Sequence, residues 1–183
     1  DVLNSDFLTQ GPVVPSFENL VSELTEATHC YGVNSATSAL HVACLALRVG
    51  VGDKVWTTAN SFVASANCAL YCGADIDFVD IEPLSLNMSI DALSEKLEVS
   101  ERLGILPKVV IAVHFAGASV DMYALNELSK IYGFSIIEDA SHAIGAKYDN
   151  NQIGSCKYSD IAVFSFHPVK IITTGEGGML MTN

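Results

Sequence analysis

One lysine stands among small and apolar residues late in this 183-residue chain, in Phe164-Ser165-Phe166-His167-Pro168-Val169-Lys170-Ile171-Ile172-Thr173-Thr174-Gly175-Glu176-Gly177-Gly178. Lysine in such company has two chemical uses, an imine with a carbonyl carbon or a contact to phosphate. A solvated lysine on a loop is the plain alternative. Asn34-Ser35-Ala36-Thr37-Ser38 reads as a strand-to-helix junction. Its free N–H groups and hydroxyls either cradle a phosphate or simply cap a helix. No Gly-Lys-Ser/Thr follows, so it is not a Walker loop. Asp139-Ala140-Ser141-His142 follows an apolar run. An acid at a strand's end with a histidine soon after suits a catalytic pair, a metal, or a protonated heterocyclic nitrogen. Loop capping by Asp139 and a core position for His142 are the structural alternatives.

These places make more sense together than apart. A phosphate cradle shared by Ser165, an acid for a ring nitrogen and a lysine for an imine specify pyridoxal phosphate. Phe62, in Asn60-Ser61-Phe62-Val63, either stacks on such a ring or belongs to the core.

The elements that must position these groups alternate. Helical stretches are expected over 16–27, from Asn34-Ser35 to about Leu47, over 62–70 and over 87–98, the last with Ile90, Leu93 and Leu97 on one side. A further helix over 121–132 should bury Leu125, Leu128 and Ile131. Strands are expected over 29–33, 55–58, 76–80, 109–113, 135–139, 161–164 and 179–181. Ser100-Glu101-Arg102 reads as a solvated link, Leu8 to Pro12 as a turn, and Asp149-Asn150-Asn151 as another turn. The alternation predicts an α/β fold, a three-layer α/β/α sandwich on a mostly parallel sheet, with active-site residues at the carboxyl ends of strands. The length suits one domain. Asp1 to Ser5 look like the end of a helix already under way and Asn183 ends at a strand, so the chain is expected to be cut at both ends.

Composition narrows the partners. A net charge of −12 argues against nucleic acid and anionic membrane surfaces. A locally built anion pocket remains compatible with it. No apolar run approaches the roughly 18 residues of a membrane span, and no secretory signal is in view. The five cysteines are odd in number and scattered, as reduced cytosolic thiols in core positions are. Cys68 and Cys72 share a helical face, but no histidine lies near them in sequence to complete a zinc site, and no metal is assigned.

With these residues in hand, the chain resembles the DegT/DnrJ/StrS family of sugar aminotransferases, which have the type I pyridoxal phosphate-dependent transferase fold. The resemblance runs over nearly all 183 residues. Leu8 to Pro12, Asn34 to His41, Ser61 to Asn67, Val113 to Gly117, Glu138 to Ala143 and Ser165 to Lys170 carry it, with Thr173 to Gly178 behind the lysine. Within the family the chain is most similar to the branch that aminates UDP-4-keto-6-deoxy-N-acetylhexosamines on the pseudaminic acid route.

The resemblance implies that Lys170 makes the imine link to the cofactor, Asp139 pairs with its ring nitrogen and His142 sits near its ring hydroxyl. Phe62 is implied to stack, and Ala36, Thr37 and Ser165 to hold the phosphate. It also implies a nucleotide-sugar substrate, L-glutamate as amine donor, a cytoplasmic homodimer, and a C-terminal small domain beyond the 183 residues, which form the cofactor-binding large domain. A truncated remnant without catalysis is the rival reading. A dinucleotide-binding domain is disfavoured, since no Gly-x-Gly-x-x-Gly follows the first strand.

Overall fold

Apolar runs of four or five residues, too short for stable helices, pair into a sheet, and the longer periodic stretches between them coil. The computed structural model describes residues 2–183. Its first half contains α1 (Val13–Thr25), β1 (His29–Val33), α2 (Ala36–Ala46), β2 (Lys54–Thr57), α3 (Ala64–Tyr71), β3 (Asp75–Phe78) and α4 (Ile90–Leu103). The second half contains β4 (Val109–Val113), α5 (Met122–Tyr132), β5 (Ser135–Asp139), β6 (Lys147–Tyr148), β7 (Asn151–Gln152), β8 (Ile161–Ser165) and β9 (Gly178–Thr182). Seven strands form one sheet in the order β1-β9-β8-β5-β4-β2-β3. All its pairings are parallel except those of β9, which runs against β1 and β8.

Side chains alternate across this sheet with period two. Val109 and Ile111 of β4, Ile137 of β5, and Ile161 and Val163 of β8 pack with Ala39, Leu40, Ala43, Cys68 and Ala69 of α2 and α3. Val110, Ala112 and Ile136 face the other way, onto Leu93 and Leu97 of α4 and Met122 and Leu125 of α5. Ala162, Phe164, Met179 and Met181 share that second side with Val21 of α1. Helices thus cover both faces, in the three layers expected for an α/β/α sandwich.

Local differences from the sequence expectations have physical reasons. Helix α1 begins three residues early, at Val13, because Pro15 falls in its first turn, where a missing N–H costs nothing. Helix α4 runs through the stretch expected to be a solvated link: Ser100 is buried on the same face as Leu93 and Leu97, and only Gly104, left-handed at φ 67°, stops the coil. Ile131 is 69% exposed rather than buried. It lies about 120° around α5 from Leu125, whereas Met122 lies near it and is buried. The Asp149-Asn150 turn closes a hairpin between β6 and β7, with both residues at positive φ as a type I′ turn requires. Of the first residues, Val2–Asn4 make a single 3-10 turn, and Asp1 lies outside the described residues.

All five cysteines are free, four of them buried, and Cys68 donates to the carbonyl of Ser65 at 3.4 Å. Among the described residues no helix is long and apolar enough to cross a membrane.

Truncating Leu97, which is fully buried on the inner face of α4, is expected to cost about 2–5 kcal/mol. The same change at the exposed Leu103, one turn and a half further on, should stay within about 0.5 kcal/mol. Urea denaturation of the two variants measures the contrast.

Candidate active site

Period two also decides which side chains reach the site. On β5, Ile137 faces α2 and α3, so Asp139 does too. On β8, Ile161 and Val163 face that way, so Ser165 follows. Asp139 pairs with Val163 in parallel register, which brings both polar groups to the carboxyl end of adjacent strands. They open on one cavity of about 550 Å³, which the start of α2 and the lysine turn also line.

The start of α2 is held by Ser35, whose hydroxyl accepts from the Ser38 N–H at 3.2 Å. The N–H groups of Ala36 and Thr37 stand in the first turn and have no carbonyl within the helix to bond. Both residues line the cavity. A glycine sets how close they come to the sheet. A Cβ on Gly178 would stand 2.5–2.6 Å from the backbone of Ser35 and Ala36, and Gly178 pairs with Ser165 across β8 and β9. Only a residue without a side chain lets the helix start and Ser165 share one wall.

Lys170 sits in a tied turn. Pro168 follows His167 as the second residue of a β-turn closed by Lys170 N–H to the His167 carbonyl at 2.9 Å. The carbonyl of buried Phe166 accepts from Thr173 Oγ1 at 2.7 Å and from Thr174 N–H at 3.1 Å, and its ring packs edge-on to Phe17. Lys170 is half-buried, and its Nζ lies 2.8 Å from His142 Nε2. An ammonium has only donors, so His142 accepts as a neutral ring. Burial, then the neighbouring Lys170 charge, hold the imidazole below its ordinary pKa of 6.5, against the weaker pull of Asp139.

Asp139 is 5% exposed and both of its carboxylate oxygens are hydrogen-bonded. Oδ2 accepts from Ser65 Oγ at 2.5 Å; Oδ1 accepts from Ser141 Oγ at 2.6 Å and from Ser141 N–H at 3.2 Å. Phe62 lies on the cavity wall two residues ahead of α3 and is 70% exposed. All seven residues singled out from sequence, Ala36, Thr37, Phe62, Asp139, His142, Ser165 and Lys170, line this one cavity.

Sequence reasoning passed over several supports. His114 is buried, and its Nδ1 accepts from the Val120 N–H at 3.2 Å, so Nε2 carries the proton donated to Glu138 Oε2 at 2.8 Å. The other Glu138 oxygen accepts from Ser159 Oγ. The main-chain N–H of His114 also donates to the carbonyl of Asp139 at 3.1 Å. Asn87 binds the loop after β4 at Phe115 N–H, Ala118 O and Ser119 O. In that loop Gly117, at φ 88°, stands against His142, whose carbonyl would be 2.7 Å from a Cβ. The adjacent acids at the end of β5 were the available signal for Glu138; Asn87 had none.

Comparison with known proteins identifies the family. The model of the DegT/DnrJ/EryC1/StrS aminotransferase family matches residues 1–183. The UDP-4-amino-4,6-dideoxy-N-acetyl-beta-L-altrosamine transaminase of Campylobacter jejuni is 43% identical over 183 residues, covering 99% of this chain and 46% of that protein. A DegT DnrJ EryC1 StrS aminotransferase from Brucella abortus superposes with a TM-score of 0.94 at 30% identity, over 100% of this chain and 49% of that one. Helicobacter pylori PseC, an aminotransferase involved in the biosynthesis of pseudoaminic acid, gives 0.87 at 36% identity, over 100% and 47%. The chain spans about half the length of the relatives it matches.

Gly178→Ala should destabilise the fold by about 1–3 kcal/mol, because backbone rather than a flexible side chain must yield. Chemical denaturation measures it. Proton NMR titration should place His142 below 6.5, and Lys170→Ala should raise it while burial still holds it down. A folded pKa below the unfolded one means that the His142 contribution to stability is whole above 6.5 and is lost as pH falls from there through the folded value.

Proposed function

The chain belongs to the DegT/DnrJ/EryC1/StrS aminotransferase family, and from that premise we propose that residues 1–183 are the cofactor-binding large domain of a pyridoxal 5′-phosphate-dependent aminotransferase. Its substrate is a nucleotide-linked 4-keto-6-deoxy sugar, a UDP-linked N-acetylhexosamine, and its amine donor is L-glutamate. The protein works in the cytoplasm as a homodimer, in the synthesis of a surface glycan. The observation that carries this reading is the convergence of Lys170, Asp139, Ser165 and the start of α2 on one cavity. The sugar class rests on the similarity to the Campylobacter jejuni and Helicobacter pylori proteins.

The residues fit the cofactor. The wall that Gly178 leaves open brings two free N–H groups and the Ser165 hydroxyl together, a donor set for a phosphate dianion. Asp139, buried and given donors on both oxygens, is a fixed carboxylate for a protonated ring nitrogen. Phe62 offers an exposed ring at the wall, suited to cover a flat ligand.

When bound, pyridoxal phosphate supplies an aldehyde that takes an amino group and a ring that delocalises the electron pair left on the adjacent carbon. The chain supplies the nucleophile and moves the protons. Lys170 is the amine, and His142 Nε2, 2.8 Å away, accepts from its Nζ and so orients it. The neutral ring that His142 holds is what lets Nε2 accept that bond. Asp139 holds its partner proton on the ligand's ring nitrogen, away from the reacting carbon. Pro168 and the two bonds to Phe166 keep the lysine turn in place while Nζ exchanges partners.

Lys170→Ala is expected to abolish both turnover and the yellow, borohydride-reducible chromophore formed with pyridoxal phosphate. Peptide mapping after reduction of the unmutated chain should find the label on Lys170; an undiminished chromophore in the variant contradicts the assignment. Asp139→Asn should still bind the cofactor but slow release of 2-oxoglutarate from glutamate by on the order of a hundredfold. Full activity there removes Asp139 from the mechanism.

A further inference from the structure

The carboxylate of Asp139 does not reach its position by itself. Ser65, in the first turn of α3 and fully buried, donates to Oδ2 at 2.5 Å, the shorter of the two hydroxyl contacts to that carboxylate. A serine hydroxyl has one proton, and an ionised carboxylate can only accept, so that proton is committed to Asp139. Ser61 Oγ lies 2.7 Å from Ser65 Oγ. With the Ser65 proton spent, Ser61 must be the donor in that pair. The direction of the whole row follows: Ser61 donates to Ser65, and Ser65 to Asp139.

The row has a definite place. Ser61 lines the cavity, and Ser65 lies behind it in the packing between α3 and the sheet. Ser61 lies three residues ahead of α3, and the turn through Phe62 and Val63 brings its hydroxyl against that of Ser65. The other core residues of α3, Ala64, Cys68 and Ala69, are apolar or thiol groups that offer Asp139 no equivalent donor. On its other oxygen Asp139 is held by Ser141 in its own loop. Ser65 is therefore the tie between the carboxylate and a separate helix.

We propose that Ser65 is a positioning residue for Asp139: its hydroxyl, backed by Ser61 at the cavity wall, fixes the orientation in which the carboxylate meets the ring nitrogen of the cofactor. This inference rests on the functional reading above and adds to it a residue that touches neither substrate nor cofactor. Three hydrogen bonds to a buried carboxylate leave it one direction in which to accept a further partner. Without Ser65, Oδ2 is free to rotate about the remaining Ser141 bonds.

The test is a double-mutant cycle on binding, read by absorbance titration of the cofactor-free protein with pyridoxal phosphate. Ser65→Cys keeps the volume and replaces a strong donor with a weak one; Ser65→Thr keeps the hydroxyl. Ser65→Cys should weaken cofactor binding on the order of tenfold, and Ser65→Thr should restore most of it. In an Asp139→Asn background, Ser65→Cys should have little further effect, because the group it acts through is already altered. A cysteine variant that binds like wild type, or one whose loss simply adds to that of Asp139→Asn, overturns the proposal while the functional reading stands. A wild-type protein that takes up no pyridoxal phosphate overturns the functional reading and this inference with it. Melting temperatures taken on the same samples identify losses that come from unfolding. A cysteine variant that loses binding only because it is unfolded, with a threonine variant that is folded and binds no better, also counts against it.

Discussion

Alternation along two neighbouring parallel strands is the constraint from which the site follows. Asp139 and Ser165 face α2 and α3 because Ile137, Ile161 and Val163 do, and these are held there by the core. The parallel pairing of Asp139 with Val163 keeps the two ends level. A slip of one residue in either strand would turn its polar end residue to the opposite face and its apolar residues out of the packing. The same hydrophobic burial that holds the sheet together therefore aims the chemistry.

The second condition is one of closeness. Strand β9 is the lone reversed strand in the sheet, inserted between β1 and β8. Its first residue, Gly178, has no side chain, so the start of α2 can rest against it. The helix then presents its unbonded N–H groups beside Ser165 without a ring of basic residues. In a chain with a net charge of −12, such unbonded N–H groups are a local positive potential that needs no lysine.

Behind the cavity the polar groups are buried in pairs that answer each other. Asp139 has Ser65 and Ser141, and Glu138, on the opposite face of the same strand, has His114 and Ser159. A buried carboxylate left without such donors costs far more than the net gain of any one bond. His114 holds both acids, Glu138 through its ring and Asp139 through its main chain. Around the opening, by contrast, Phe62, His167 and Val169 are exposed. The floor of the cavity is thus buried and hydrogen-bonded, and its rim is exposed.

The elements and the residues with chemistry were legible in sequence because they depend on short-range rules. Apolar period located every strand of the main sheet, Ser35 announced the start of α2, and a lone lysine before a glycine-rich stretch marked its own loop. Assembling Lys170, Asp139, Ser165 and the α2 start into one cavity was also legible, through the motifs that carry the family resemblance. Other features were decided only by tertiary contact. The burial of Ser100, the exposure of Ile131, the donation from Ser65 and the clasp between His114 and Glu138 all join residues that sequence order separates or leaves ambiguous. Period tells which residues share a face; it does not tell what that face meets. Which donor reaches which oxygen is a matter of a few tenths of an ångström between separate elements, and only their packing sets that distance.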